Sequence, residues 1–117
     1  MTRAFVFPGQ GSQAVGMAED LFSAFPIARE TLEEVDDALG QNLTRLIAEG
    51  PADELTLTEN AQPALMAVSM AVMRVLEKEG NIDISGACAF VAGHSLGEYT
   101  ALAAVRAFGL ADTARLL

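Results

Sequence analysis

A pentapeptide with a serine between two glycines constrains the fold of this chain more than any other feature of the sequence. The pattern G-x-S-x-G is formed by Gly93, His94, Ser95, Leu96 and Gly97. The apolar run 87–91 leads into it, and the alanine-rich run 98–105 follows it. Because glycines let a strand and a helix approach each other without Cβ clashes, this order predicts a sharp strand-to-helix turn with Ser95 at its tip.

Such a turn makes Ser95 a candidate nucleophile. Its hydroxyl would stand exposed at a helix N-terminus, where the first backbone N–H groups have no intrahelical partners and can stabilise a developing oxyanion. The alternative is a turn with a structural role only, since glycine and serine are common residues and the pattern also arises by chance. The strand pattern before the serine and the helix pattern after it favour the nucleophile.

Length and composition predict one globular domain. The chain has 117 residues, of which 51% are hydrophobic, and this is enough to form a core. No apolar run approaches the ~20 residues of a membrane span, and the first residues lack the apolar region of a secretory signal. These features predict a cytoplasmic protein with no membrane partner. Cys88 is the single cysteine and is expected to be a small buried side chain in the predicted strand.

The charge balance is acidic and argues against nucleic acid as a partner. Sixteen acidic residues against seven basic ones give a net charge of −9, which repels a phosphate backbone. Most of the acidic residues lie in the segments 30–37 and 49–59. Solvated helix faces are the expected explanation for both segments.

The hydrophobic pattern elsewhere predicts an α/β fold with a parallel sheet and flanking helices. Residues 4–7 form a short apolar run that Pro8 stops, as is typical of a buried parallel strand, and a glycine-rich loop follows at 9–13. This loop lacks the spacing of a phosphate-binding loop. Helices are predicted at 17–22, 28–39, 43–49 and 63–73, with a surface connection at 80–86.

Individual residues support these helix boundaries. Gly40 is the expected C′ residue of the second helix, and Asn42 is the expected N-cap of the third. The fourth helix is apolar on nearly every face, which predicts burial, with its methionines filling the core. Two strands are too few for a sheet covered on both faces, and the chain stops inside a predicted helix. We therefore expect residues 1–117 to be the N-terminal part of a longer protein.

Three segments carry a close resemblance to a known family. They are Phe5-Val6-Phe7-Pro8-Gly9-Gln10-Gly11-Ser12-Gln13, Asn60-Ala61-Gln62-Pro63-Ala64-Leu65 and Gly93-His94-Ser95-Leu96-Gly97-Glu98-Tyr99. In this order they resemble successive signatures of the malonyl-CoA:acyl carrier protein transacylases. The resemblance implies an α/β-hydrolase-like large subdomain into which a ferredoxin-like subdomain is inserted later in the chain. Residues 1–117 would be the first part of the large subdomain, and the remainder would be absent.

The resemblance also implies a ping-pong acyl transfer in fatty-acid biosynthesis. Ser95 would attack the thioester of malonyl-CoA and form a malonyl-serine ester, and the phosphopantetheine thiol of acyl carrier protein would then collect the malonyl group. No cofactor and no metal are expected. The backbone N–H groups of Gln10 and Leu96 would form the oxyanion hole.

The other pocket residues implied by the resemblance are His94, Gln62, Gly9 and Gly11. From the residues alone, Gln10 could equally be a polar loop residue. Gln62 could equally be a buried amide that serves the start of the next helix.

The base that activates Ser95 is not expected within these residues. His94 is the only histidine, and adjacent side chains on a tight turn point in different directions. The family takes its base histidine and its carboxylate-binding arginine from later segments. Arg115 is therefore interpreted as a helix-surface residue. Arg106 stands where the family has a glycine that closes the helix, which leaves the local turn geometry open.

Two other functions stay open at this point. The motifs also fit an acyltransferase domain of a polyketide or multifunctional fatty-acid synthase, although a start at Met1, just before the first strand, favours a freestanding enzyme. A truncated homologue that binds carrier protein without turnover is the third possibility. Because the base is missing, the isolated 117 residues are expected to be nearly inactive.

Overall fold

The computed structural model describes residues 3–87 and 90–117. Its elements in chain order are β1 (Ala4–Phe7), α1 (Glu19–Ala24), α2 (Pro26–Leu39), α3 (Leu43–Glu49), α4 (Ala52–Thr56), α5 (Thr58–Glu79), α6 (Ile84–Ala87), β2 (Phe90–Gly93), α7 (Gly97–Ala104) and α8 (Leu110–Leu116).

The two strands pair in parallel, and helices pack against one face of the sheet. Ala4 lies opposite Phe90, and Phe7 lies opposite Gly93. Helix α7 packs against both strands and against α5, while α2 packs against α5 and α8. The prediction of an α/β fold with a parallel sheet and flanking helices is confirmed.

The prediction that the first strand is buried is wrong for one of its faces. Phe5 and Phe7 point into the core, but Val6 is 71% exposed and Phe90, on the same face of β2, is 64% exposed. Side chains alternate between the faces of a strand, and the described helices cover only one face of this short sheet. The other face is consequently apolar and open.

The expected end of the second helix at Gly40 and the expected N-cap of the third at Asn42 are confirmed, while the second helix begins two residues earlier than predicted. Pro26 occupies the first turn of α2, where its missing N–H costs no hydrogen bond. Gly40 ends that helix with φ of +65°, and the Asn42 side chain accepts a hydrogen bond from the Arg45 N–H at 3.1 Å. Among the described residues, no helix has the length and apolarity that a membrane span requires.

Helix α5 is longer than predicted. It starts at Thr58, five positions before Pro63, which lies inside the helix. The methionines of this helix are buried as expected, and they are Met66, Met70 and Met73. The helix is not buried on every face, however, because Val72 is 39% exposed beside the open face of the sheet.

The segment before the serine also differs from the prediction. The second strand begins at Phe90, whereas Ala87 belongs to the short helix α6. Ile84, within the predicted surface connection, is buried instead. The prediction for Cys88 lies outside the described residues.

One acidic residue of the segment 30–37 has a structural role. The carboxylate of Asp36, on α2, accepts hydrogen bonds from the backbone N–H groups of Leu43 (2.8 Å) and Thr44 (3.1 Å), and from the Thr44 hydroxyl. These N–H groups belong to the first turn of α3, where the helix itself offers them no acceptor. Asp36 therefore joins two helices at their shared turn.

We expect the Asp36→Ala variant to lower the free energy of unfolding by about 1–2 kcal/mol, because two helix N-terminal donors lose a charged acceptor. Urea unfolding of the protein measures this difference. Asp37→Ala is the matched control, since Asp37 is exposed on the same helix. Equal losses in the two variants would contradict the capping role of Asp36.

Arg106 occupies a backbone position that usually belongs to glycine. Its φ is +65°, its N–H donates to the Ala103 carbonyl at 3.0 Å, and the Ala107 N–H donates to the Leu102 carbonyl at 2.9 Å. This hydrogen-bond pair is a Schellman motif with Arg106 at C′. The turn that closes α7 is therefore kept despite the arginine.

We expect Arg106→Gly to raise the free energy of unfolding by about 0.5–1 kcal/mol, because glycine adopts the left-handed conformation without Cβ strain. The variant also loses the ion pair between Arg106 and Glu77. This pair is 3.5 Å long and the Arg106 side chain is 80% exposed, so it contributes little to the free energy of unfolding. Thermal unfolding of Arg106→Gly and of the control Arg106→Ala, which keeps the strain, tests this. A gain in the alanine variant equal to that in the glycine variant would disprove the backbone explanation.

Candidate active site

The loops that follow the two strands meet at one edge of the sheet. Because β1 and β2 run in parallel, the loop after Phe7 and the turn after Gly93 both leave at the carboxyl edge, where α/β proteins place their ligands. The backbone N–H of His94 donates to the Phe7 carbonyl at 3.2 Å. The G-x-S-x-G turn and the glycine-rich loop are thus tied together.

Ser95 lies at the tip of a sharp turn between β2 and α7, which is the local structure that the sequence pattern predicts. Its φ is +55° and the residue is exposed. The left-handed conformation costs a residue with a Cβ roughly 1–2 kcal/mol. Strained residues of this kind cluster at functional sites, because the surrounding structure holds them in a reactive arrangement.

The two glycines of the pattern let the elements beside Ser95 come close together. A Cβ on Gly93 would overlap the backbone of Gly97, and a Cβ on Gly97 would overlap the carbonyl of Phe7. Strand β2, helix α7 and the end of β1 therefore pack backbone against backbone. This packing forces the chain to turn sharply within the residues that separate the two glycines.

Two backbone N–H groups near this turn are available as donors. Leu96 is the N-cap of α7, and within residues 3–87 and 90–117 its N–H donates to no acceptor. The amides that follow are occupied, since Gly97 donates to the His94 carbonyl at 3.0 Å and Glu98 donates to the Ser95 carbonyl at 3.0 Å. The N–H of Gln10, in the exposed loop after β1, also has no acceptor among the described residues.

The side chain of Gln10 contacts a residue that the sequence did not single out. Its Nε2 donates to the hydroxyl of Thr58 at 3.2 Å, at the first residue of α5. Next to it, Gly11 has φ of +109°, and its N–H donates to the side-chain oxygen of Gln13 at 2.8 Å. With the helix start placed at Pro63, sequence reasoning could not assign Thr58 to this helix.

Gln62 lies on the same side of α5 as Thr58, because residues four positions apart share a helix face. Its side chain is half-buried. The alternative in which Gln62 serves the start of a helix is wrong about its position, since the helix begins one turn earlier. Gln62 instead lies one helical turn after Thr58, the residue that contacts Gln10 of the loop.

His94 packs against the loop rather than against the serine hydroxyl. A Cβ on Gly9 would lie 2.7 Å from the His94 Nδ1 and 2.5 Å from its carbonyl oxygen, so the imidazole and the buried Gly9 are in close contact. No hydrogen bond joins the His94 ring to Ser95 within the described part of the chain. The described residues thus bring no base to Ser95.

Arg115 lies on the protein surface, and the described residues offer no metal site. Arg115 is exposed on α8 and pairs with Asp112 at 3.3 Å, which confirms the interpretation as a surface residue. The described ranges contain no group of three or more histidine, cysteine, aspartate or glutamate side chains that could hold a metal ion. The chemistry that this edge can support is attack by a serine hydroxyl with amide donors beside it.

Known proteins are similar to this chain in sequence and in fold. Residues 4–117 match the family described as the acyl transferase domain. The chain is 48% identical over 114 residues to the malonyl CoA-acyl carrier protein transacylase of Escherichia coli K12, covering 97% of this chain and 36% of that protein. It therefore spans about a third of the length of this relative.

Solved structures of similar proteins have the same fold as this chain. An acyl-carrier-protein-S-malonyltransferase from Bartonella henselae superposes with a TM-score of 0.96 at 61% identity, covering 99% of this chain and 37% of that one. A structure described as a type II PKS acyl-carrier protein in complex with its malonyl-transacylase also matches. Its matched chain gives a TM-score of 0.92 at 44% identity, and the match covers 99% of this chain and 36% of that one. The sequence match and the shared fold together show that this chain belongs to the acyl transferase domain family.

Proposed function

We propose that the complete protein moves a malonyl group from malonyl-CoA to the phosphopantetheine thiol of acyl carrier protein, in fatty-acid biosynthesis. The observation that carries the proposal is the geometry of Ser95, an exposed serine in a strained turn between a strand and a helix. The Escherichia coli relative is a malonyl CoA-acyl carrier protein transacylase, and its name supplies the substrates. The structure with a bound carrier protein supports the same acceptor.

In the first half-reaction, the Ser95 oxygen attacks the thioester carbonyl carbon of malonyl-CoA. A bond forms between that oxygen and the carbon, the carbon–sulfur bond breaks, and CoA leaves with the proton that the hydroxyl gave up. Because the chain has one histidine and it packs on Gly9, we infer that the base lies beyond residues 1–117. In the second half-reaction, the thiol of the carrier protein attacks the malonyl-serine ester and frees Ser95.

The oxyanion of each half-reaction needs donors that are in place before the charge develops. The backbone N–H groups of Leu96 and Gln10 suit this role, since neither donates elsewhere among the described residues. His94, Gln62, Gly9 and Gly11 would line the pocket around them. The transfer would need no metal and no cofactor, because malonyl-CoA is a substrate and the serine carries the acyl group.

Residues 1–117 would be the N-terminal part of a large acyltransferase subdomain, with an inserted ferredoxin-like subdomain later in the complete chain. The parallel strands with one open apolar face fit this proposal, because such a face needs a covering layer. The cytoplasmic location stays a prediction, as does the absence of a nucleic-acid partner.

Trapping the acyl-enzyme tests the proposal. The complete protein is mixed with malonyl-CoA, stopped with acid and digested, and the malonyl ester is mapped by mass spectrometry. The expected result is one ester, on Ser95, that disappears when carrier protein bearing a free thiol is added. An ester on another residue would contradict the assignment. Carrier-protein binding without any ester would instead identify a non-catalytic homologue.

A further inference from the structure

Three described contacts involve the glycine-rich loop 9–13 after β1. Gly9 packs against His94, the Gly11 N–H donates to Gln13, and the Gln10 side chain donates to Thr58. The contact with Gln13 lies within the loop itself. The contact between Gln10 and Thr58 joins residues 48 positions apart and ties the loop to a helix.

We propose that Thr58 is a positioning residue for the acyl transfer, acting through Gln10. Its hydroxyl holds the Gln10 side chain and so fixes the direction in which the Gln10 backbone N–H points. The inference rests on the proposed function, in which that N–H is an oxyanion donor. It assigns the Gln10 side chain to anchoring the loop, while the Gln10 backbone meets the substrate.

Helix α5 is a suitable support for such a contact. It has 22 residues, and its inner side is buried from Ala61 to Val75, with Ala64 to Val75 contributing to the main core. Thr58 is the first residue of this helix, and among the described residues its hydroxyl accepts from Gln10 and makes no hydrogen bond to the helix backbone. The loop, by contrast, is exposed from Gln10 to Ser12 and has little packing of its own.

The contact should matter more for rate than for stability. Gln10 and Thr58 are both exposed, and a single exposed hydrogen bond adds little to the free energy of folding. An oxyanion donor, however, must lie within a few tenths of an ångström of its place, and a displacement of about 1 Å can cost about 100-fold in rate. Loss of the Thr58 hydroxyl should therefore slow the reaction in a protein that still folds.

The test is single-turnover acylation of Ser95 by malonyl-CoA in the complete protein. We expect Thr58→Val to slow acylation about 10-fold with little change in the apparent Kd of malonyl-CoA or in the unfolding temperature, because the donor is displaced but not removed. Thr58→Ser restores the hydroxyl and should recover most of the rate. Thr56→Val is the matched control, since among the described residues the Thr56 hydroxyl bonds only within α4, to the Ala52 carbonyl at 2.8 Å.

A double-mutant cycle separates positioning from a general structural role. Gln10→Ala keeps its backbone N–H and loses its anchor, so it should match Thr58→Val, and the double variant should be no slower than either. Additive losses would overturn the proposal, as would wild-type acylation in Thr58→Val. In both cases the proposed function would stand. If the wild-type protein forms no ester on Ser95, the proposed function is wrong, and the positioning role of Thr58 is then wrong as well.

Discussion

Replacing Ser95 by alanine is expected to lower the malonyl-transfer rate of the complete protein by about 10⁴-fold or more, because the atom that forms the acyl ester is removed. Alanine keeps the Cβ and meets the same left-handed strain at φ of +55°, so the turn itself should survive. Steady-state transfer to carrier protein measures the rate, and circular dichroism with thermal unfolding checks the fold.

Ser23→Ala is the control for the serine substitution. Ser23 is exposed on α1, outside the loops that follow the two strands. Its replacement should leave the rate within about twofold. If Ser95→Ala kept the wild-type rate while remaining folded, another residue would have to carry the acyl group. The proposed function would then lose its nucleophile.

Replacing Gly93 by alanine is expected to be the most damaging change to the turn. The added Cβ would overlap the backbone carbonyl of Gly97 and the N–H of Glu98, and neither group can rotate away as a side chain could. Strand β2 and helix α7 must then separate. We expect a loss of about 3 kcal/mol in the free energy of unfolding and about 100-fold in the acylation rate of Ser95.

Gly86→Ala provides the matched control. A Cβ at Gly86 meets no atom of the described residues within 4 Å, and this glycine lies in α6, where alanine is the better helix former. Urea unfolding and single-turnover acylation of both variants decide the matter. A Gly93→Ala variant as stable and as active as Gly86→Ala would show that the close packing of β2 and α7 is not required.

Much of this fold could be read from local patterns. The apolar spacing of α2, the left-handed Gly40 after it and the Asn42 cap all follow from residues close together in the chain. The strand-to-helix turn at Ser95 is local as well. Each of these depends on backbone geometry and short-range hydrogen bonds, which residue type and spacing determine.

Other features could not be read in this way. Helix α5 starts at Thr58, and its first turn has no side-chain cap. Because the sequence carries no strong capping signal there, the predicted start is placed at Pro63. The exposure of Val6 depends on which layers cover the sheet, and an apolar run by itself cannot report that. In both cases the neighbours in space decide the outcome.

The sequence by itself determined the end of α2, the cap of α3, the turn that presents Ser95 and the glycine-rich loop after β1, since glycine spacing and hydrophobic periodicity act within a few residues. Only the tertiary structure decided that Gln10 reaches Thr58, that His94 packs on Gly9 and that Asp36 caps α3. The physical reason is that each of these contacts depends on how separate elements pack, because side-chain hydrogen bonds form only where packing brings donor and acceptor within about 3 Å.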